Sequence, residues 1–137
     1  MKKAALLLAG LLLICTGCAA AQSAKYEIAV VTAGESDENT PLIEEAAEAY
    51  YQAHSDVNVY TAGYEDTDGF LQMQTVEDLI AQQVDGICIV PIDEALLAPM
   101  VEQARSQGIA VAFWEDGETP AQATDAMIET ALNMTKG

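Results

Sequence analysis

The sequence predicts an α/β fold built on a doubly wound parallel sheet. Three observations favour it. Runs of β-forming residues alternate four times with runs of helical periodicity. The apolar runs near the middle of the chain are continuous, as expected for strands buried on both faces. No long linker separates these segments, and 137 residues can form one domain with a core but not two. We therefore expect four strands and four helices, joined by right-handed crossovers, within residues 26–137.

The first half of this region supplies two strand–helix units. Residues 26–32 form a β-rich run. Thr40 and Pro41 follow, and they predict a helix with threonine as its N-cap and proline at the first helical position. A second short strand is predicted over residues 57–60, and Asp68 precedes the second helix.

The second half repeats the pattern. Residues 86–90 predict a buried strand, and Asp93 is placed to cap the helix that follows. Gly108 is expected to end that helix, because glycine readily adopts the left-handed conformation found after helix C-termini. Residues 109–113 predict the fourth strand. The sequence Thr-Pro-Ala-Gln at 119–122 predicts a capping box at the start of the last helix.

The N-terminus has the layout of an export signal. Two lysines precede an apolar run over residues 4–14, which is short for a transmembrane helix. The following Cys-Thr-Gly-Cys resembles a bacterial lipobox. It predicts a signal peptide at 1–17, a lipid on Cys18, and a tether at 18–25. The alternative is an ordinary cleaved signal without lipid. In either case the mature chain is expected outside the cytoplasmic membrane.

The composition excludes several classes of function. Acidic residues number 22 against 5 basic ones, and a net charge of −17 disfavours nucleic-acid binding and anionic lipid surfaces. Cys88 lies in an apolar run and is expected to be an inert buried thiol. His54 is the sole histidine, and it is expected to be solvated at a helix end. We expect no metal site, cofactor or catalytic constellation, although a small enzyme stays an alternative.

Several segments together resemble a known family. They are Tyr-Glu-Ile-Ala-Val-Val at 26–31, Pro41, the Asp-to-Ile stretch at 68–87, Ile-Val-Pro-Ile-Asp at 89–93, and the Gln-Gly-Ile-x-Val stretch at 107–111. This order and spacing resembles the N-terminal lobe of the type 1, sugar-class periplasmic binding proteins that serve ABC importers. The resemblance implies a single Rossmann-like lobe of the periplasmic binding protein-like fold. It implies no enzymatic activity, a small-molecule solute as ligand, and an importer permease as partner.

The resemblance also implies a ligand site at the carboxyl ends of the strands, where open α/β sheets bind ligands. The family's stacking aromatics are absent after Pro41, and its arginine after the fourth strand is absent too. The residues carried over as candidate ligand contacts are Asn39, Thr40, Leu42, Asp93, Trp114, Glu115 and Asp116. Trp114 is expected either to stack on a ligand or to pack under the loop that follows it.

Acidic residues are concentrated in the four segments that reach this edge of the sheet, at 33–40, 63–68, 91–94 and 114–119. Such clustering suits a cationic or polyhydroxylated ligand, since carboxylates attract cations and accept hydrogen bonds from hydroxyls. The alternative is that these acids only cap helices and interact with the helix dipoles.

Members of this family close two lobes on a ligand, and this sequence has one. Either it is a truncated gene product or the lobe works alone or with a partner. The second functional hypothesis is a lipid-anchored interaction module without ligand capture, which an exposed apolar patch favours.

Overall fold

The computed structural model describes residues 24–115 and 119–137, and their strands form one parallel sheet in the order β2-β1-β3-β4. The predicted doubly wound α/β fold is confirmed. The predicted signal peptide, Cys18 and Asp116 lie outside the described residues. The elements are β1 (Tyr26–Val31), α1 (Thr40–Ala53), β2 (Val57–Ala62), α2 (Gly69–Ala81), β3 (Gly86–Ile89), α3 (Glu94–Ser106), β4 (Ala110–Phe113) and α4 (Pro120–Lys136).

Helices cover both faces of the sheet. Helices α1 and α4 pack together on one face, and α2 and α3 pack together on the other. The central strand β1 alternates between the two layers, because successive side chains of a strand point to opposite faces. Ile28 and Val30 join the α1/α4 core, whereas Ala29 and Val31 join the α2/α3 core. This double burial explains why the central strands are continuously apolar in sequence.

Two of the three predicted N-terminal caps, Asp93 and Thr119, are present, and Asp68, which was expected only to precede the second helix, is also a cap. The side chains of Asp68 and Asp93 each accept hydrogen bonds from two backbone N–H groups in the first turn of their helices. Thr119 and Gln122 form the reciprocal capping box predicted for α4. Gly108 follows α3 with a φ of +80°, as expected for a glycine that ends a helix. These caps fix where three of the helices begin.

The predicted cap of α1 is wrong. Asn39 occupies the N-cap position, and its side chain forms no capping bond. Thr40 is the first helical residue, and its hydroxyl donates to the Gly34 carbonyl at 2.7 Å. The side chain is therefore used to hold the preceding loop and not the helix N-terminus. Proline near the start of the helix is confirmed.

Strand lengths differ slightly from the prediction. β2 continues to Ala62, because its last two residues pair with Val30 and Val31 of β1. β3 ends at Ile89, one residue earlier than expected. Within the described part of the chain, no helix is long and apolar enough to cross a membrane.

Candidate functional site

The candidate site lies at the carboxyl ends of β1 and β3, where the winding of the sheet reverses. β1 is hydrogen-bonded to β2 on one side and to β3 on the other. The helix after β1 packs on one face of the sheet, and the helix after β3 packs on the opposite face. The chain therefore leaves β1 and β3 toward opposite faces of the sheet, through the loops at 32–39 and 90–93. This is the topological switch point, at which open α/β sheets bind ligands.

Gln72 of α2 holds the two sides of this switch point together. Its Nε2 donates to the carbonyl oxygens of Thr32, at 3.0 Å, and Val90, at 2.7 Å. Its Oε1 accepts from the N–H of Ile92 at 2.9 Å. The side chain is 3% exposed. Because it satisfies three backbone groups at once, it fixes the loop after β1 relative to the loop after β3.

A second set of contacts fixes the loop after β1 against the loop after β2. The N–H of Glu35 donates to the Tyr64 carbonyl at 3.0 Å, and the Ser36 hydroxyl donates to the Glu65 carbonyl at 3.1 Å. Gly34 has a φ of +104°, and a Cβ there would lie 2.7 Å from the carbonyl oxygen of Asp66. Only glycine permits this close approach. The loops at the site are therefore held by their own backbone contacts.

The predicted ligand contacts differ in how far their side chains are exposed at this edge. Leu42 is 48% exposed, and Asn39 is half-buried. Thr40 is 2% exposed with its hydroxyl bonded to Gly34, so in this conformation the hydroxyl is not presented to a ligand. Asp93 and Glu115 are exposed. Oδ1 of Asp93 caps α3, and the cap does not use its second carboxylate oxygen.

Trp114 packs against the protein. Its ring is half-buried against the α1/α4 core. The backbone N–H of Trp114 donates to the Ile89 carbonyl at 2.9 Å. The loop that follows Trp114 lies partly outside the described residues, so both predicted roles, stacking on a ligand and packing under that loop, stay predictions. Partial burial holds the ring at the end of β4 and leaves some of its surface open.

The acidic residues of this edge divide into two groups. Asp68 and Asp93 cap helices, and Asp37 accepts from the N–H of Asn39 at 2.9 Å. Local backbone bonding therefore accounts for these three. Six other described acids of the edge are exposed: Glu35, Glu38, Glu65, Asp66, Glu94 and Glu115. They give the site a negative potential suited to hydroxyl donors or cations.

Two exposed aromatic residues that are not among the seven candidate ligand contacts stand at the same edge. Phe70, in the first turn of α2, is 65% exposed, and Tyr64 in the loop before it is 37% exposed. The sequence did contain a signal for Phe70, which is its position in the helical repeat. Phe70 falls outside the buried stripe of α2, and that stripe begins at Gln72. Together, Phe70 and Tyr64 give this edge exposed aromatic ring surface.

A pocket beside the switch point is very small. The pocket bounded by Thr32, Gly34, Tyr64, Gln72 and Ile92 has a volume of about 10 Å³. That is roughly the space that one water molecule needs. Most small-molecule pockets are far larger, at about 300–1,000 Å³. This lobe therefore offers a ligand a floor of polar and aromatic groups and not an enclosing cavity.

A larger groove lies at the opposite end of the sheet, by the amino ends of β1 and β2. It has a volume of about 570 Å³ and is lined by Tyr26, Tyr51, His54 and their neighbours. His54, which was expected to be solvated at the helix end, is only partly exposed. The imidazole is half-buried and stacks on the Tyr50 ring, with centroids 4.0 Å apart. We call this feature the amino-end groove.

The one thiol of the described residues is buried, as predicted. Cys88 is fully buried in β3, and burial raises the pKa of its thiol to about 12. A thiol with so high a pKa supplies almost no thiolate near neutral pH. Among residues 24–115 and 119–137, no three His, Cys, Asp or Glu side chains converge in a way that could hold a metal ion.

A parallel β2-β1-β3-β4 sheet with a clamped switch point and helices on both faces defines a doubly wound α/β lobe. The chain belongs to the periplasmic binding protein domain family, whose model matches residues 19–133. The family is one of solute-binding proteins, and it implies an extracytoplasmic location. The resemblance inferred from the sequence is confirmed.

The chain is also similar to individual solute-binding proteins. The chain is 35% identical over 89 residues to the D-ribose/D-allose-binding protein of Pseudomonas aeruginosa, a match that covers 64% of this chain and 28% of that one. A solute-binding protein of an ABC transporter from Burkholderia multivorans superposes with a TM-score of 0.63 at 28% identity, over 76% of this chain and 38% of that one. A periplasmic ribose ABC transporter structure from Conexibacter woesei gives a TM-score of 0.57 at 26% identity, over 69% and 31% of the two chains. The chain thus spans about a third of the length of these relatives.

Proposed function

We propose that this chain is the ligand-contacting lobe of an extracytoplasmic solute-binding lipoprotein that serves an ABC importer. Its ligand is a sugar or another polyhydroxylated small molecule, and a cationic solute is the second candidate. The importer permease is the proposed partner, and no cofactor takes part. We further propose that the chain contributes one lobe of a two-lobe binding unit and has no enzymatic activity.

The clamped switch point is the observation that carries this proposal. Gln72 holds the ends of β1 and β3 in place, and the surrounding loops are fixed by backbone bonds. A site held in place before binding loses less free energy when a ligand is ordered on it. Exposed carboxylates beside Tyr64 and Phe70 offer hydrogen-bond acceptors next to apolar ring faces. That combination suits a sugar, which has hydroxyl donors on its edge and C–H groups on its faces.

The affinity of the lobe alone is expected to be weak. Because the lobe offers the ligand a floor but no enclosing wall, D-ribose or D-allose should bind with a Kd on the order of 1 mM. Replacing Glu115 with glutamine should weaken binding severalfold, because it removes an exposed carboxylate acceptor at the site. Isothermal titration calorimetry with these sugars, amino sugars and polyamines measures both effects.

Glu77→Gln is the matched control for this experiment. Glu77 is exposed on α2, two turns away from the helix start, and no side-chain bond involves it. It carries the same charge, so it separates a local contact from the general negative potential of the protein. Equal weakening by both substitutions, or tight binding of a phosphate ester in place of a sugar, would contradict the proposal.

Lipid attachment to Cys18 is the lipoprotein part of the proposal and has its own test. In a bacterial host fed labelled palmitate, the native chain should carry label and sediment with membranes. Cys18→Ser should lose both, because the thiol that would carry the lipid is gone. Cys15→Ser is the control and should keep both, since residue 15 lies within the predicted signal peptide. Label that survives Cys18→Ser, or that is lost with Cys15→Ser, contradicts the assignment.

The interaction-module hypothesis keeps one observation in its favour. Leu42 is 48% exposed beside Pro120 and Ala121, in an apolar groove of about 380 Å³ between α1 and α4. An apolar groove of this kind can bind a protein partner without a solute. The calorimetric titration separates the two hypotheses, because a pure interaction module binds none of the small molecules.

A further inference from the structure

The basic residues of the described chain all lie at the amino end of the sheet. Lys25 directly precedes β1, Arg105 lies in the last turn of α3, and Lys136 lies in the last turn of α4. They are the only lysines and arginines within residues 24–115 and 119–137. β1 has six residues and is about 20 Å long, and charges more than about 10 Å apart are largely screened at 0.1 M salt. The acids of the carboxyl edge therefore have little influence on the amino end.

Two of these lysines converge on one aromatic ring. The Nζ atom of Lys25 lies 5.0 Å from the centroid of the Tyr26 ring, and the Nζ atom of Lys136 lies 5.7 Å from it. Both lysines are exposed, and no carboxylate of the described residues forms an ion pair with either. Tyr26 lines the amino-end groove. The groove therefore has two ammonium groups beside it, and lysine ammonium groups bind phosphate.

Carboxylates lie at this end of the sheet as well. Glu27 is exposed and lines the groove. The carboxylate of Asp85 accepts from the backbone N–H of Glu27 at 2.8 Å, and the backbone carbonyl of Asp56 accepts from the Lys25 N–H at 2.8 Å. The amino end thus presents both signs of charge. Such a surface suits a zwitterion better than a strongly anionic ligand, which these carboxylates would repel.

Aromatic rings complete the groove on the side of α1. Tyr51 is 42% exposed, and the half-buried imidazole of His54 is held by its stacking on Tyr50. An ammonium group is attracted to the face of an aromatic ring, as the two lysines above Tyr26 show. Together with the carboxylate of Glu27, these rings offer a cation-binding part of the same groove.

The groove lies close to the predicted lipid anchor. Ala24 lines it and is six residues after Cys18. A fully extended chain spans at most about 3.6 Å per residue, so a lipid on Cys18 keeps the groove within roughly 20 Å of the bilayer surface. Tyrosine side chains are enriched at such interfaces between membrane and water. The switch point is at the opposite end of the sheet, so a second lobe that closes over it leaves this groove open.

We propose that the amino-end groove binds the headgroup of a zwitterionic phospholipid. The phosphate accepts hydrogen bonds from the ammonium groups of Lys25 and Lys136, and the amine of the headgroup binds Glu27 and the rings of Tyr51 and His54. This contact seats the lobe on the membrane with the carboxyl edge directed away from the bilayer. The seating rests on the proposed lipid anchor, whereas headgroup recognition is independent both of that anchor and of solute binding at the switch point.

The probe for headgroup recognition is glycerophosphoethanolamine, a water-soluble form of the headgroup, titrated into the ¹⁵N-labelled chain. Its binding should shift the amide signals of Tyr26, Tyr51 and His54 most strongly, with a Kd on the order of 1 mM. Inorganic phosphate and ethanolamine, each added alone, should bind about tenfold more weakly, because each engages only one part of the groove. Absence of headgroup binding, or equally tight binding of inorganic phosphate, overturns the proposal.

Charge-removing variants provide the matched controls. Lys25→Gln and Lys136→Gln should each weaken binding of glycerophosphoethanolamine about fivefold, because each removes one ammonium group beside the phosphate. Glu27→Gln should weaken it by a similar factor and leave the binding of inorganic phosphate no weaker. Arg105→Gln removes the same charge at the same end and should have no effect, because Arg105 lines other grooves. Circular dichroism checks that each variant is folded, and equal weakening by Arg105→Gln contradicts binding at this site.

The seating is tested with the lipidated chain in phosphatidylethanolamine nanodiscs that carry a spin label on the headgroup. Amide signals at 24–27 and 51–58 should be broadened, and those at 34–39 and 63–68 should not. Uniform broadening, or broadening of the carboxyl edge, overturns the seating. A chain that does not associate with the discs contradicts the lipid anchor, and the titration with the soluble headgroup then still decides whether the groove binds it.

Discussion

Replacing Gln72 with glutamate is expected to lower the free energy of unfolding by about 3–5 kcal/mol at neutral pH. The native amide nitrogen donates to the carbonyl oxygens of Thr32 and Val90. In the variant a buried carboxylate oxygen would face both carbonyls, so two acceptors would lose their donor and a negative charge would lie against them. Urea denaturation followed by circular dichroism measures the loss.

The effect of this substitution should depend on pH. Burial raises the pKa of the introduced carboxyl in the folded state, because its charged form is desolvated and repelled by the two carbonyls. The loss of stability should therefore begin as the pH rises above the unfolded value of about 4.3 and be complete above the raised folded pKa. Gln74→Glu is the control, since Gln74 is exposed on the same helix. A loss of similar size in both variants would show that Gln72 does not hold the switch point.

Replacing Gly34 with alanine is expected to cost about 2–4 kcal/mol of stability. The residue has a φ of +104°, which an L side chain rarely adopts. The added Cβ would also lie 2.7 Å from the Asp66 carbonyl oxygen and 3.1 Å from the Thr67 nitrogen. Both are backbone atoms, so the loop after β2 must move to accommodate the methyl group. Solute binding should weaken with it, because the same two loops form the site.

Gly108→Ala separates backbone strain from steric overlap. Gly108 also has a positive φ, of +80°, but a Cβ there would meet no atom within 4 Å. The Gly108→Ala substitution should lower the free energy of unfolding by about 1 kcal/mol, because only the left-handed backbone conformation opposes the new side chain. Chemical denaturation of the two variants side by side gives the difference. If Gly34→Ala is no worse than Gly108→Ala, the close approach of the two loops does not contribute to the stability of the site.

The sequence was sufficient to predict the elements and their order because these depend on local patterns. Continuous apolar runs mark strands buried on both faces, and Asp68, Asp93 and Thr119 mark helix starts through bonds to residues two or three positions away. The error at α1 has a local cause as well. Thr40 precedes Pro41, and that order suits an N-cap as well as a first helical residue, so only the bond to Gly34 distinguishes the two.

The candidate site was predicted in position but not in detail. Its location follows from the parallel topology, which brings the loops after all four strands to one edge. The role of Gln72 could not be predicted, because its partners Thr32 and Val90 lie 40 and 18 residues away and are backbone atoms. The stacking of His54 on Tyr50 depends in the same way on side-chain conformation. Sequence patterns carry no signal for such contacts.

The central claim is that ligands are captured at the switch point. The most direct test is to map the solute-binding site through the chemical shifts of the protein's amides. D-ribose and D-allose are titrated separately into the ¹⁵N-labelled chain, and amide shifts are followed to saturation. The account predicts that the largest shifts fall in the loops at 32–40 and 90–94 and around Tyr64 and Phe70. Shifts concentrated instead around Tyr51 and His54, in the amino-end groove, would contradict it.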